Sequence, residues 1–183
     1  NHVAGRHDLA QQDVDRVLQQ QAGAQPAIEL RSAILAARGL YAEAAQDVAQ
    51  LLKEDPDSVL LQLQLAIYLN AGNQSRQAIE VFSRVLTLDP QNGLALRGRA
   101  DAYLNVGEHR QAVADYEVVV KLLEADSGVL NNFAWVLATS TEDGIRDGKR
   151  ALEMGLKACE LTEYQQAHIL STLAAAYAES GDF

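Results

Sequence analysis

The sequence predicts an all-α fold, a stack of about ten antiparallel helices, and three observations carry that prediction. First, the 183 residues are 48% apolar but only 5% aromatic, with three Pro. A chain rich in Ala and Leu and nearly free of Pro favours helix. Second, no sustained two-residue alternation bounded by turns occurs, so no strand is predicted. Third, the chain repeats itself. The pairs Asp55-Pro56 and Asp89-Pro90 lie 34 residues apart, and Ala10, Ala44, Ala78 and Ala112 share that spacing.

Each of these alanines opens an apolar stripe at i, i+4, i+7 and i+8, the spacing of one helix face. The sets are Ala10/Val14/Val17/Leu18, Ala44/Val48/Leu51/Leu52, Ala78/Phe82/Val85/Leu86 and Ala112/Tyr116/Val119/Val120. A first helix is paired with each such second helix. Its inward positions read Ile28/Leu35, Leu65/Ala66/Leu69, Leu96/Ala100/Tyr103, Leu130/Phe133/Ala134/Leu137 and Leu170/Leu173/Ala174/Tyr177. Gly5, Gly39, Gly72, Gly107 and Gly181 fall between or just after these helices, where a residue able to take positive φ suits the turn. The Asp-Pro pairs mark the opposite boundary, because a residue before Pro is pushed out of the helical region.

This pattern resembles the tetratricopeptide repeat, a 34-residue helix–turn–helix unit. Setting position 1 at Gln25, Val59, Gly93 and Ser127 places Ala100, Tyr103, Gly107, Ala112 and Tyr116 of unit 93–126 on the consensus. Leu65, Ala66, Ala78, Phe82 and Pro90 match in unit 59–92, and Leu35, Gly39, Ala44 and Pro56 in unit 25–58. Residues 1–24 read as the second helix of a partial repeat, 127–166 as a repeat with a loop insertion, and 167–183 as the first helix of a further one. The expectation is a single solenoid over 1–183, a right-handed superhelix as the resemblance implies, of a bacterial variety. Neither end reads as capped, which suggests a piece of a longer protein or a chain whose ends are disordered.

The departures carry their own expectations. Arg31 and Arg99 stand at position 7, where an apolar residue is expected; their long stems are predicted to lie along apolar surface with the charged heads in water. Gly72 comes one residue early and Asn73 takes position 15, so the turn is predicted to form with one residue shifted. The excess of unit 127–166 falls mainly in Thr139–Gly148, a polar, Gly-containing segment between the helices of the kind a solenoid tolerates as a loop insertion, with the Glu142-Asp143-Gly144 turn read as a solvated loop. The second helix there is thin-sided, with Ala151, Gly155, Ala158 and Cys159 on its stripe, and Phe133 or Trp135 is expected to supply the missing volume.

Composition excludes several functions. The formal charge of −10, with no dense Lys/Arg cluster, argues against nucleic acid as a partner. No apolar run is long enough to insert in a membrane. Cys159 is the one cysteine, so no internal disulfide or Cys-based zinc site exists; it reads as a small buried hydrophobe. His2, His7, His109 and His168 have no partners at ligand spacing and read as structural or surface residues. The Glu142-Asp143-Gly144 turn lacks the alternating ligands of a calcium loop. No catalytic, cofactor or metal constellation is predicted, and the expected protein is not an enzyme.

What remains is a surface. In the resembled family, partner peptides lie in a concave groove lined by first-helix positions 2, 5, 9, 12 and 13. Carried over, these are Pro26, Glu29, Ala33, Ala36 and Ala37; Leu60, Leu63, Ile67, Asn70 and Ala71; Leu94, Arg97, Asp101, Leu104 and Asn105; Gly128, Asn131, Trp135, Ala138 and Thr139; then His168, Ser171 and Ala175. Leu63, Ile67, Asn70, Arg97, Asp101, Asn105, Asn131 and Trp135 are the candidate binding residues. Asn131 and Asn132 offer amides for a peptide backbone, and Trp135 and Arg97 are hot-spot types. The opposing reading packs Leu63 and Ile67 between helices and sets Trp135 beside Gly155. Among positions 5 and 9 only Arg97 is basic, with Asp101 one turn away to offset it, so no clamp for a peptide carboxylate is predicted. The implied function is a non-catalytic scaffold for another protein or peptide. The alternatives are a docking module of a larger enzyme or membrane-associated assembly, and self-association through uncapped ends.

Overall fold

The computed structural model describes residues 2–122 and 126–181, the side chains of residues 2–8 excepted. Among the described residues there are ten helices: α1 (His2–Gln20), α2 (Gln25–Ala37), α3 (Tyr41–Leu51), α4 (Val59–Ala71), α5 (Ser75–Leu88), α6 (Gly93–Asn105), α7 (His109–Leu122), α8 (Ser127–Thr139), α9 (Gly148–Leu161) and α10 (Ala167–Ser180). No strand occurs among those residues. The first helices α2, α4, α6 and α8 start 34 residues apart, and α10 starts after the longer unit. The chain divides into two compact units, Asn1–Pro90 with α1–α5 and Gln91–Phe183 with α6–α10.

The tight turns of the α2–α3, α4–α5 and α6–α7 hairpins share one geometry. Gly39 and Gly107 take φ of 78° and 77°, and the amide three residues beyond the helix reaches back five residues, Leu40 N–H to Leu35 O and Glu108 N–H to Tyr103 O, both 2.9 Å. That is the glycine-ended helix stop, in which a left-handed residue satisfies orphan carbonyls. In the middle hairpin Asn73 itself is left-handed at φ 60°, and Gln74 N–H meets Leu69 O at 2.8 Å. The turn is therefore not shifted. Gly72 stays at φ −84° and is small for another reason: a Cβ there would lie 3.3 Å from Tyr41 Cβ. Gly5 also departs from expectation, because α1 runs through it without a turn.

Within Asn1–Pro90, α1 packs on α2, α2 on α3, α3 on α4, and α4 on α5. Ala44 and Ala78 are fully buried, as are Val48, Phe82 and Val85. A large side chain in place of such a buried alanine overpacks the core at a cost of about 1–3 kcal/mol. Val17, expected on the buried stripe of α1, is instead exposed.

Within Gln91–Phe183, α6 and α7 form one hairpin and α8 and α9 another, and α10 packs on both α8 and α9. Side-chain caps start three of these helices: Asn92 accepts from Ala95 N, Asp126 from Val129 N and Asp147 from Arg150 N, each at 3.0 Å. Such a cap contributes about 1 kcal/mol. Gly155 is covered by α10, not by an aromatic side chain; Leu173 Cδ1 would lie 3.3 Å from a Cβ at that position. Phe133 is buried and stacks on Tyr116 with ring centres 5.8 Å apart, while Trp135 points outward. On α10, Leu170 and Tyr177 are exposed rather than inward.

The segment between α8 and α9 is an ordered strap. Ile145 is buried. Asp147 N–H reaches Leu137 O at 2.9 Å, and Arg146 donates to Ser140 O, to Glu179 of α10 and to Asp143. Glu142 pairs with Arg110. The strap delivers Gly148 against the end of α10, where a Cβ would sit 2.5 Å from Ser180 N; only glycine fits so close to backbone.

Arg31 and Arg99 overturn the expectation of loose, water-facing heads. Arg31 reaches Asp47 through Nε and Nη2 at 2.8 and 2.6 Å, and Arg99 reaches Asp115 likewise at 2.8 Å twice. Both carboxylates are buried. Each pair ties a first helix to the second helix of its own hairpin. A buried carboxylate demands a paired donor, and a planar guanidinium supplies two parallel bonds. In the middle hairpin the same two positions hold Leu65 and Val81.

Candidate functional site

The candidate residues fall into two separate groups. In Asn1–Pro90 they lie on α4. Leu63 is half-buried and Ile67 is 50% exposed, one turn apart on the same face. Leu60, at the start of α4, is more exposed still. Asn70 accepts a 2.7 Å hydrogen bond from the Ser75 hydroxyl, so its carbonyl oxygen is already engaged in the turn to α5.

In Gln91–Phe183 the candidates lie on α6 and α8. The polar ones form one internal network. Arg97 Nη1 donates to Asp126 Oδ2 at 2.6 Å, and its Nε lies 4.0 Å from Asp101 Oδ2. Asp101 Oδ1 accepts from the Tyr116 hydroxyl at 2.5 Å and from Asn132 Nδ2 at 3.1 Å. Asn131 is buried and donates to Asn132 Oδ1 at 3.2 Å. Among the described residues its own Oδ1 has no protein donor. The Asn131 and Asn132 amides, expected to meet a peptide, thus serve the interior first. Arg97 is offset by Asp101 as the spacing predicted, and more closely by Asp126, which no local pattern indicated.

Tyr116 is fully buried. Burial pushes its phenol well above the ordinary value of 10, and the adjacent Asp101 charge pushes it further. The phenol therefore stays a donor to Asp101. Asn105 is exposed at the end of α6, and Leu94 is exposed at its start. Trp135 is 44% exposed on α8, one turn beyond Asn131. The outward surface of this unit thus combines a fixed polar floor with a large aromatic side chain left in water.

The remaining chemistry-bearing groups lie elsewhere. Cys159 is buried, and burial raises its thiol pKa, the opposite of a reactive thiolate. His109 Nδ1 lies 2.9 Å from Ser140 Oγ, and His168 is exposed. The His2 and His7 side chains, and Phe183, lie outside the described residues. No cluster of three potential metal ligands occurs among the described residues. No helix there is long and apolar enough to cross a membrane.

The chain is similar in sequence and in fold to known proteins. Over 95 residues, half of this chain, it is 30% identical to DnaJ homolog subfamily C member 3 of Gallus gallus. Over 74 residues, 40% of this chain, it is 32% identical to anaphase-promoting complex subunit cut9 of Schizosaccharomyces pombe. The chain spans only 19% and 11% of those two relatives. No family model matches it. Among solved structures, MamA superposes with a TM-score of 0.73 at 18% identity, covering 90% of this chain and 93% of MamA. YrrB, described as a TPR protein with an unusual peptide-binding site, gives 0.71 at 18% identity, covering 93% of this chain and 84% of YrrB. A thermophilic TPR protein of Thermus thermophilus gives 0.65 at 18% identity, covering 95% of this chain and 92% of that one. The chain has the fold of these tetratricopeptide-repeat proteins, an all-α series of helical hairpins.

Proposed function

We propose that this chain is a non-catalytic scaffold that seats an extended or helical segment of another protein on the outward face of its first helices. The observation that carries the reading is Trp135. A tryptophan left 44% exposed is a large apolar surface in water, and buried aromatic anchors supply much of the energy of protein interfaces. Its neighbours support the role. Arg97, Asp101 and Asn132 are held by Tyr116 and Asp126, so a partner meets side chains already ordered, and pre-ordering reduces the entropy lost on binding. On α4, Leu60, Leu63 and Ile67 offer an apolar strip of the kind an amphipathic segment covers. YrrB, similar in fold, is described as peptide-binding.

The test is capture of partners from native lysate by the parent chain and by Trp135→Ala. The variant is expected to lose its partners while its circular dichroism stays that of the parent, since the side chain is not part of the core. Unchanged capture overturns the reading, and loss of helix assigns Trp135 to the core. A second reading is a docking module within a longer polypeptide, favoured by relatives of which this chain spans only 19% and 11%. A catalytic or membrane-spanning segment in the same reading frame would select it.

A further inference from the structure

α8 packs on both α6 and α10, so the exposure of its Trp135 is not that of an end helix. Tryptophan is the aromatic side chain that attracts a cation most strongly to its face. Two other rings of this unit already have a guanidinium over them: Arg99 lies 5.8 Å from the ring centre of Tyr103, and Arg150 lies 5.3 Å from that of Phe133. Among the described residues Trp135 has no such partner. Its ring is 44% exposed and open to one from outside.

The charge beside that ring is unbalanced. α8 carries no charged side chain. On α10 the one carboxylate, Glu179, is held by Arg146, and on α6 Arg99 is held by Asp115. With histidine counted as neutral, Arg97 is left as the single cation for two carboxylates, Asp101 and Asp126. Both oxygens of Asp126 are used, Oδ1 by Val129 N–H and Oδ2 by Arg97. Asp101 uses one, Oδ1, which takes Tyr116 and Asn132. Its Oδ2 has Arg97 Nε at 4.0 Å, outside hydrogen-bond reach, and no closer donor among the described residues. The bond to Asn132 sets this carboxylate against α8 three residues before Trp135, and side chains three apart share one side of a helix. Asn131, one turn before Trp135, also keeps an oxygen without a donor among the described residues.

Building on the scaffold function above, we propose that the seated segment of the partner protein presents a lysine or arginine to this patch, its charged head lying over the Trp135 ring and donating to Asp101 Oδ2. A neutral donor would reach Oδ2 but leave the excess negative charge in place. An acidic residue would be repelled by it. A basic side chain balances the charge, brings donors and no acceptor, and gains the attraction of the indole face. Its arrival also leaves the existing bonds of Asp101 untouched, because Tyr116 and Asn132 hold the other oxygen.

Peptides selected on the whole chain from a random phage-displayed library are the probes. Trp135 is the one tryptophan, so a change in intrinsic fluorescence shows which peptides reach it, and titration calorimetry gives their affinity. Those peptides should share a basic residue. Replacing it by Gln should weaken binding about tenfold on the parent. The loss should be smaller on Asp101→Asn, which keeps an oxygen for Tyr116 and Asn132 and replaces only the second one, and on Trp135→Leu, which keeps an apolar side chain without a ring. The second variant decides the matter if the first lowers the urea midpoint. Peptides that perturb Trp135 and carry no basic residue overturn the proposal and leave the scaffold function standing. So does a basic residue whose loss costs the same on the parent and both variants, which would reflect only the overall negative charge of the chain. If no selected peptide perturbs Trp135, the scaffold reading itself falls, and this proposal with it.

Discussion

Arg99 holds Asp115 through two equal contacts, Nε to Oδ2 and Nη2 to Oδ1, each 2.8 Å long. The residues are 16 apart, and so are Arg31 and Asp47, which make the same pair. Between these two hairpins in the sequence lies one that uses Leu65 and Val81 instead. The chain therefore holds an ion pair twice and two apolar residues once at one pair of equivalent positions.

That duplication makes the ion pair separable from its site. Arg99→Leu alone strands a buried carboxylate and is expected to cost about 3 kcal/mol. Adding Asp115→Val, which copies the neighbouring hairpin, should recover most of the loss. Urea unfolding of the two single variants and the double variant measures the coupling. Additive losses would show that the pair does not act as a unit.

Asn73 stands where the other hairpins have Gly39 and Gly107, at the same positive φ. Asn73→Val should lower stability by about 1–2 kcal/mol, because a β-branched residue clashes in the left-handed region. Asn73→Gly should melt no lower than the parent. Thermal melts of both variants decide this; equal melting of parent and valine variant would mean that the turn has another conformation in solution.

The Tyr116 phenol titrates above its ordinary value of 10, through burial first and the Asp101 charge second. A folded-state pKa above the unfolded one means that the stabilisation is complete below about pH 10 and falls as pH rises past it. This residue alone should remove up to about 1.4 kcal/mol per pH unit there. Tyr116→Phe should show a shallower decline, read from urea midpoints at several alkaline pH values. Identical slopes would place the phenol in water.

The hairpins are legible in the sequence because a 34-residue period and alanine-led stripes are local facts of the chain; α2, α4, α6 and α8 start at that same 34-residue interval. The Arg–Asp pairs are not, although their 16-residue spacing occurs twice, since each arginine's partner sits on another helix and its own surroundings suggest only a misplaced charge. Asn73 looks like the sign of a displaced turn, whereas the left-handed residue keeps its place and only the side chain differs. Gly5 and Gly148 show the same limit from two sides. One glycine lies inside a helix, and the other exists because Ser180 comes close, a contact no local spacing reveals. The eight groove positions come from the resemblance. The structure adds that Arg97, Asp101 and Asn132 are tied together while Trp135 stands half in water, a distinction that depends on Tyr116 and Asp126 of other elements.

Asp101 belongs to α6, yet its Oδ1 draws one donor from α7 and another from α8. Parting the α6–α7 hairpin from the α8–α9 hairpin would leave the Asp101 carboxylate without its Asn132 donor and the Asn132 amide without its acceptor. Repeat arrays commonly fray from one end, because each module answers only to its neighbours. A shared acceptor of this kind raises the coupling between neighbours, and residues 91–183 should lose their structure in one cooperative step instead of hairpin by hairpin.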